Sequence, residues 1–252
     1  MSERLPTLLR AGSLAALVAL AGGCYVESES PPLPPPPPPD AEEFSTPFQP
    51  AGGGDFVAAS HRHRTRVTSD GTLYLYLPQG EDRPGVIAAL GTQLHSMQRD
   101  EALDTKLRSG GQLDRGAVRF DRGAVVEVVR NTRRGVEQGW VFSAAPEGEG
   151  DLVVRIRTEG VDAASLAADG IHFRNNETGM RALIEDATWA DARGRSTRVP
   201  ARYEGGVVVL RVPASVVDAS TYPVTLKLAA PEAPAGRCRG PGHSPACWSR
   251  SR

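Results

Sequence analysis

From Arg64 to Leu228 the apolar positions fall in short β-favouring blocks separated by glycine-containing turns. Leu73-Tyr74-Leu75-Tyr76-Leu77 places leucines on one face and tyrosines on the other, and stops at Pro78. Val125 to Arg130 is rich in β-branched residues, and Val136 to Phe142 follows it. Over Asp151 to Thr158, Val154 and Ile156 alternate with Arg155 and Arg157, the pattern of a strand with one buried and one wet face. Val207 to Val212 and Tyr222 to Leu228 complete the set. Between these blocks lie Asp70-Gly71, Asp121-Arg122-Gly123, Glu147-Gly148-Glu149-Gly150, Asp169-Gly170 and Glu204-Gly205-Gly206. Turn signals spaced about 8 to 12 residues apart predict a sandwich or barrel, and the fold class expected is all-β, an antiparallel β-sandwich.

One stretch departs from this pattern. Between Thr92 and Arg108 the apolar residues are Leu94, Met97, Leu103 and Leu107, with charges between them. Those intervals fit a helical face loosely, so a short helix or a polar excursion is expected there. No strands are joined by a helix of regular length, which argues against parallel βαβ units.

The two ends of the chain change character. Arg4 and Arg10 precede an uncharged run, Ala11 to Ala21, with the length of a signal-peptide core. It is about half of the roughly 20 apolar residues that a spanning helix needs, so it is expected to be removed. Leu20-Ala21-Gly22-Gly23-Cys24 resembles the lipobox of bacterial lipoproteins, although leucine stands four residues before the cysteine where the family prefers three. The resemblance implies cleavage before Cys24, lipidation of Cys24 and a membrane partnership through that lipid. Tyr25 stands where an aspartate would favour inner-membrane retention, which implies the outer membrane or cell surface. Pro31 to Pro39 is proline apart from Leu33, a semi-rigid polyproline II spacer of about 3.1 Å per residue. After Ala230 the chain is rich in Pro, Gly and Arg without hydrophobic periodicity, too poor in apolar surface to offset ordering entropy. The expected organisation is a signal peptide over 1–23, a disordered proline-rich linker over 24–55, a β-sandwich over 56–229 and a disordered tail over 230–252.

Composition narrows the function. With 29 basic and 30 acidic side chains and a net charge of -1, the whole chain lacks the electrostatic footprint of a nucleic-acid binder. Cys238 and Cys247 both lie in the tail, so the core is expected to hold without disulfides. No G-x-S-x-G elbow, H-E-x-x-H helix or phosphate loop occurs, and no cofactor, metal or catalytic residue is expected. His61-Arg62-His63-Arg64 has an H-x-H spacing, but its arginines repel a cation, and a solvated basic edge is expected. His172 alternates with Ile171 and Phe173 and is expected at the surface. Glu147 and Glu149 sit in a glycine-rich turn too loose to hold a catalytic pair. Trp140 and Phe142 share a face expected to be core, which leaves Tyr74 and Tyr76 as the candidate exposed aromatic pair.

Several stretches resemble a β-rich module from the N-terminal regions of large bacterial surface proteins that carry repeat arrays. Asn131 to Trp140 looks like its N-x-x-x-G-x-E-Q-G-aromatic stretch, and Gly148 to Val154 like its glycine-rich turn and strand. Trp189-Ala190-Asp191-Ala192-Arg193-Gly194 resembles its W-x-D-A-x-G hairpin, and Tyr222-Pro223 its Y-P strand. The likeness covers about residues 114 to 228, and Lys227-Leu228 replaces an aspartate-proline pair that leads to the repeats. It implies a non-catalytic surface module with a spacing or adhesive role, and carries no catalytic residues. A glycan- or protein-binding module using Tyr74 and Tyr76 is the alternative. The unusual tail fits either a complete small lipoprotein or a fragment or shifted frame of a longer surface protein.

Overall fold

The structure is a computed structural model that describes residues 46–60, 63–78 and 87–231. Cys24, the signal, the proline run and the tail cysteines lie outside the described residues. The fold is nearly all β, with antiparallel sheets in a sandwich-like arrangement.

The first sheet begins with β1 (Gln49–Pro50), β2 (Phe56–Ala59), β3 (Arg64–Val67), β4 (Leu73–Pro78) and β5 (Ile87–Arg99). A short β6 (Glu101–Ala102) folds back on the end of β5. The facing sheet starts at its edge with β7 (Gln112–Asp114), β8 (Ala117–Asp121), β9 (Val126–Thr132) and β10 (Gly135–Phe142). The chain then returns to the first sheet with β11 (Leu152–Glu159), which pairs with β5. A small third sheet follows, made of β12 (Ala163–Ala167), β13 (Gly170–Arg174) and β14 (Arg181–Ile184). A hairpin of β15 (Ala187–Ala190) and β16 (Ser196–Val199) belongs to the facing sheet. β17 (Ala201–Glu204) and β18 (Val207–Val212) complete the first sheet. After a five-residue helix α1 (Ala214–Asp218), β19 (Val224–Pro231) inserts between β10 and β15.

The alternation seen in the sequence sets which side chains meet. From the first sheet Val67, Leu75, Leu90, Met97, Val154, Ile156 and Leu210 point inward; from the other, Phe120, Trp140, Phe142, Trp189 and Leu226. Trp140 and Phe142 are both buried, at 0% and 1% exposure, as the pattern of their strand predicts. Phe142 meets Trp189 at 5.3 Å between ring centroids, and the Trp189 indole N–H donates to Ser220 Oγ at 2.9 Å.

Three local expectations are corrected. Residues 92–99 form no helix; they continue the long strand β5. Its register against β11 shifts between Arg155 and Ile156, where Ser96 and Leu94 are the successive partners and His95 is left over. This extra residue lets Leu94 and Met97 both face the core although they are three apart, which imitates helical spacing. Secondly, the ordered fold starts before the glycine run: Phe48 is buried in the core and β1 pairs with β2 across the turn at 51–55. At the other end, Ala230 and Pro231 still pair with β10. Thirdly, His63 belongs to no solvated edge; it is 2% exposed.

Polar side chains cross the interior in two places. In the first, Thr92 Oγ1 donates to Gln138 Oε1 at 3.2 Å, and Gln138 Nε2 donates to Glu127 Oε1 at 2.5 Å. Arg122 Nε donates to the other oxygen of Glu127. Glu127 is completely buried between Phe120 and Trp140, its cross-strand neighbours. Burial pushes its carboxyl above the usual range, against the pull of Arg122 and Gln138. The turn before β4 covers the guanidinium so closely that a Cβ on Gly71 (φ +80°) would lie 2.3 Å from Arg122 Nη2. Removing one member of such a pair strands a buried charge, which costs about 3–5 kcal/mol. Glu127→Gln and Arg122→Met should each lower stability by an amount of that order. The double variant should recover most of the loss, as measured by urea unfolding of the three proteins.

Candidate functional site

The second crossing includes the histidine nearest to β3. His63 Nε2 donates to Asn131 Oδ1 at 2.7 Å, and Thr65 Oγ1 donates to the same oxygen at 3.1 Å. Asn131 Nδ2 donates to the Thr46 carbonyl at 3.2 Å. With its Nε2 proton committed, the ring accepts from Ser60 Oγ at Nδ1, at 2.7 Å. This is the connectivity of a hydroxyl, a base and an orienting amide. The Ser60 hydroxyl, however, also accepts the His63 amide at 3.1 Å, closing the turn between β2 and β3. The set therefore ties the first sheet to β9 and to the chain entering β1. Asn131→Ala leaves the His63 and Thr65 donors buried without this acceptor, which should cost about 1–3 kcal/mol. A drop in the thermal midpoint with an unchanged far-ultraviolet spectrum would mark the role as a tie between sheets.

The remaining candidates lie on the outer face of the first sheet. On β4, Leu73 and Leu75 point inward while Tyr74 and Tyr76 point outward, half-buried, with ring centroids 6.3 Å apart. The two rings differ in their surroundings. Tyr74 lies over Gly91, where a Cβ would come within 3.1 Å of the ring, and its hydroxyl donates to Glu159 Oε2 at 3.3 Å. Tyr76 instead stands directly across from Arg64 and lines a groove of about 640 Å³. The groove is bounded by Pro47, Val57, Ala59, Arg64 and Arg66 as well as Tyr76. Among the described residues its walls contain arginines but no carboxylate, and its volume lies within the range of ligand sites.

The two arginines of β3 are held differently. Arg66 donates through Nε and Nη2 to Asp55 Oδ2, at 2.8 and 2.5 Å, and sits beside the Tyr76 phenol. Arg66 and the Ser69 amide together hold the Asp55 carboxyl below the usual carboxylate range. Arg64 is exposed and has no ion-pair partner among the described residues.

Other sequence candidates lie elsewhere. His172 projects from β13 and bonds Asp169 Oδ1 at 2.7 Å. Glu147 and Glu149 are solvent-exposed. Arg133 and Arg134 line a second concavity of about 440 Å³ whose charges largely neutralise each other, through Arg134–Glu185 at 2.9 Å and Lys227–Glu137 at 3.4 Å. No cluster of three His, Cys, Asp or Glu suited to a metal occurs among the described residues.

No protein-family model, curated protein or solved structure matches the chain.

A carboxyl whose folded pKa is lowered contributes stability above its unfolded value, and that contribution is lost as pH falls through the folded value. Asp55→Asn should therefore lower the thermal midpoint at neutral pH. The gap from the wild type should close below about pH 4, as thermal melts across that range would show.

Proposed function

We propose that the chain is an exported lipoprotein, cut before Cys24 and held at the outer membrane or cell surface by lipid on that cysteine, whose β-sandwich is a non-catalytic adhesive module. The observation that carries the adhesive role is the groove beside Tyr76, where an aromatic ring, aliphatic side chains and the exposed Arg64 share one rigid sheet face. Binding residues on a strand keep their geometry without ordering a loop, so little entropy is lost on association. Non-catalytic action is supported by the interior: two of its buried titratable side chains, Glu127 and His63, are engaged in structural bonds, Glu127 with Arg122 and Gln138 of its own sheet and His63 with Asn131 of the facing sheet.

The anchor and the binding face are tested separately. In membranes of the producing organism, Cys24→Ser should move the chain from the membrane to the soluble fraction on an immunoblot. Retention of the variant in the membrane would sink the anchor. Tyr76→Ala removes a cross-strand partner worth about 0.2–1 kcal/mol, so it should fold. Its binding to isolated cell envelopes should nevertheless fall at least tenfold in a pull-down titration; undiminished binding would remove Tyr76 from the site.

A further inference from the structure

The outer face of the first sheet carries a charge imbalance that the whole-chain total conceals. Following the strand registers outward, Arg64 and Arg66 on β3 share this face with Arg155 and Arg157 on β11, Arg211 on β18 and Arg202 on β17. All but the half-buried Arg155 are exposed. The exposed acids on the same strands and face are Glu159 and Glu204. Asp55 and Asp151, at the rim, pair with Arg66 and Arg211 respectively. Arg155 instead donates to Gln98 Oε1 at 2.9 Å, Arg202 to the Ala201 carbonyl at 3.2 Å, and Arg157 to His95 Nδ1 at 3.5 Å. Among the described residues, Arg64, Arg157 and Arg202 thus face solvent with donors that no carboxylate takes up.

Spacing gives the face a length. At about 4.8 Å per strand, β3 and β11 lie roughly 14 Å apart, and β17 roughly 10 Å beyond. Adjacent strands twist by about 20–25°, so this strip is curved along its length. A flat membrane surface cannot touch both ends of such a strip, whereas a flexible chain can follow it. Nucleic acid would call for rings on which successive bases stack, but aromatic side chains on this face are confined to β4. Tyr76, Val57 and Ala59 form an apolar platform beside Arg64, which suits the flat face of a sugar ring. Arginines spaced along the face suit carboxylates that recur along a sugar chain, each held by paired N–H donors.

We propose that this face binds an acidic polysaccharide of uronic-acid type, with Tyr76 under a sugar ring, Arg64 on a carboxylate beside it and Arg157 on a carboxylate several sugars further along the same chain. The proposal rests on the binding-face reading above and names its ligand class.

The full chain, extracted in detergent, is run through native gels containing polygalacturonate, dextran sulfate of matched charge density, neutral dextran or single-stranded poly(dT). Polygalacturonate is expected to retard it most. Arg64→Ala combined with Arg157→Ala should weaken that retardation at least tenfold while leaving the thermal midpoint within a few degrees. Should the double variant melt early, the charge-retaining Arg64→Lys with Arg157→Lys replaces it, and a smaller loss in the same direction is expected. Stronger retardation by dextran sulfate or poly(dT) overturns the carboxylate-sugar assignment, as does retardation by none of the four. Equal retardation by neutral dextran, abolished by Tyr76→Ala, overturns the acidic class but leaves the binding face standing. Retardation by polygalacturonate that neither arginine pair nor Tyr76 affects overturns both.

Discussion

Two β-sheets packed through aliphatic side chains can slide on one another at little cost, because hydrophobic contact has no direction. Here the sliding is stopped by hydrogen bonds across the interior. Thr92, Gln138, Glu127 and Arg122 make one chain of contacts, and Thr65, His63, Asn131 and the Thr46 carbonyl make another. The bonds between the sheets, Thr92–Gln138, Thr65–Asn131 and His63–Asn131, join groups far apart in sequence, and each forms at one relative position of the sheets. A buried charge is acceptable only when its partners are in place. Glu127, whose partners Arg122 and Gln138 lie in its own sheet, therefore fixes the Gln138 amide that reaches Thr92 across the interior.

This constraint explains the character of the stretch from Asn131 to Trp140. Asn131 and Gln138 belong to the two crossings, Trp140 fills the core beside Glu127, and Glu137, on the opposite face, pairs with Lys227. The polar residues of this stretch are thus engaged in bonds within and between the sheets. The Asp191 turn behaves likewise: its carboxylate accepts from the amides of Arg193, Arg195 and Thr221 and from the Arg195 side chain. Architecture occupies the inner face, and the proposed recognition falls to the outer one.

On that outer face the balance of forces is different. Arginines and tyrosines there carry little of the stability, since exposed pairs such as Arg211–Asp151 contribute at most about 1 kcal/mol. The face is free to be shaped by what it meets. Its strands are held by locked inner side chains, so the binding surface proposed there would need no loop to be ordered.

The sequence by itself determined the all-β class, the alternation of most strands, the burial of Trp140 and Phe142, and the outward direction of Tyr74 and Tyr76. These are local properties, set by the two-residue period of a strand. It misled where a local rule was broken by a distant partner. The extra residue at His95 is a mismatch between β5 and β11, so it leaves only a false helical spacing in β5 itself. His63 looks solvated because its acceptor, Asn131, is 68 residues away. The difference between Tyr74, folded over Gly91 toward Glu159, and Tyr76, lining the groove, likewise depends on which strands lie alongside. Tertiary structure alone decided these points, and it alone gathered arginines from four strands onto one face, because pairing and register are properties of the assembled sheet.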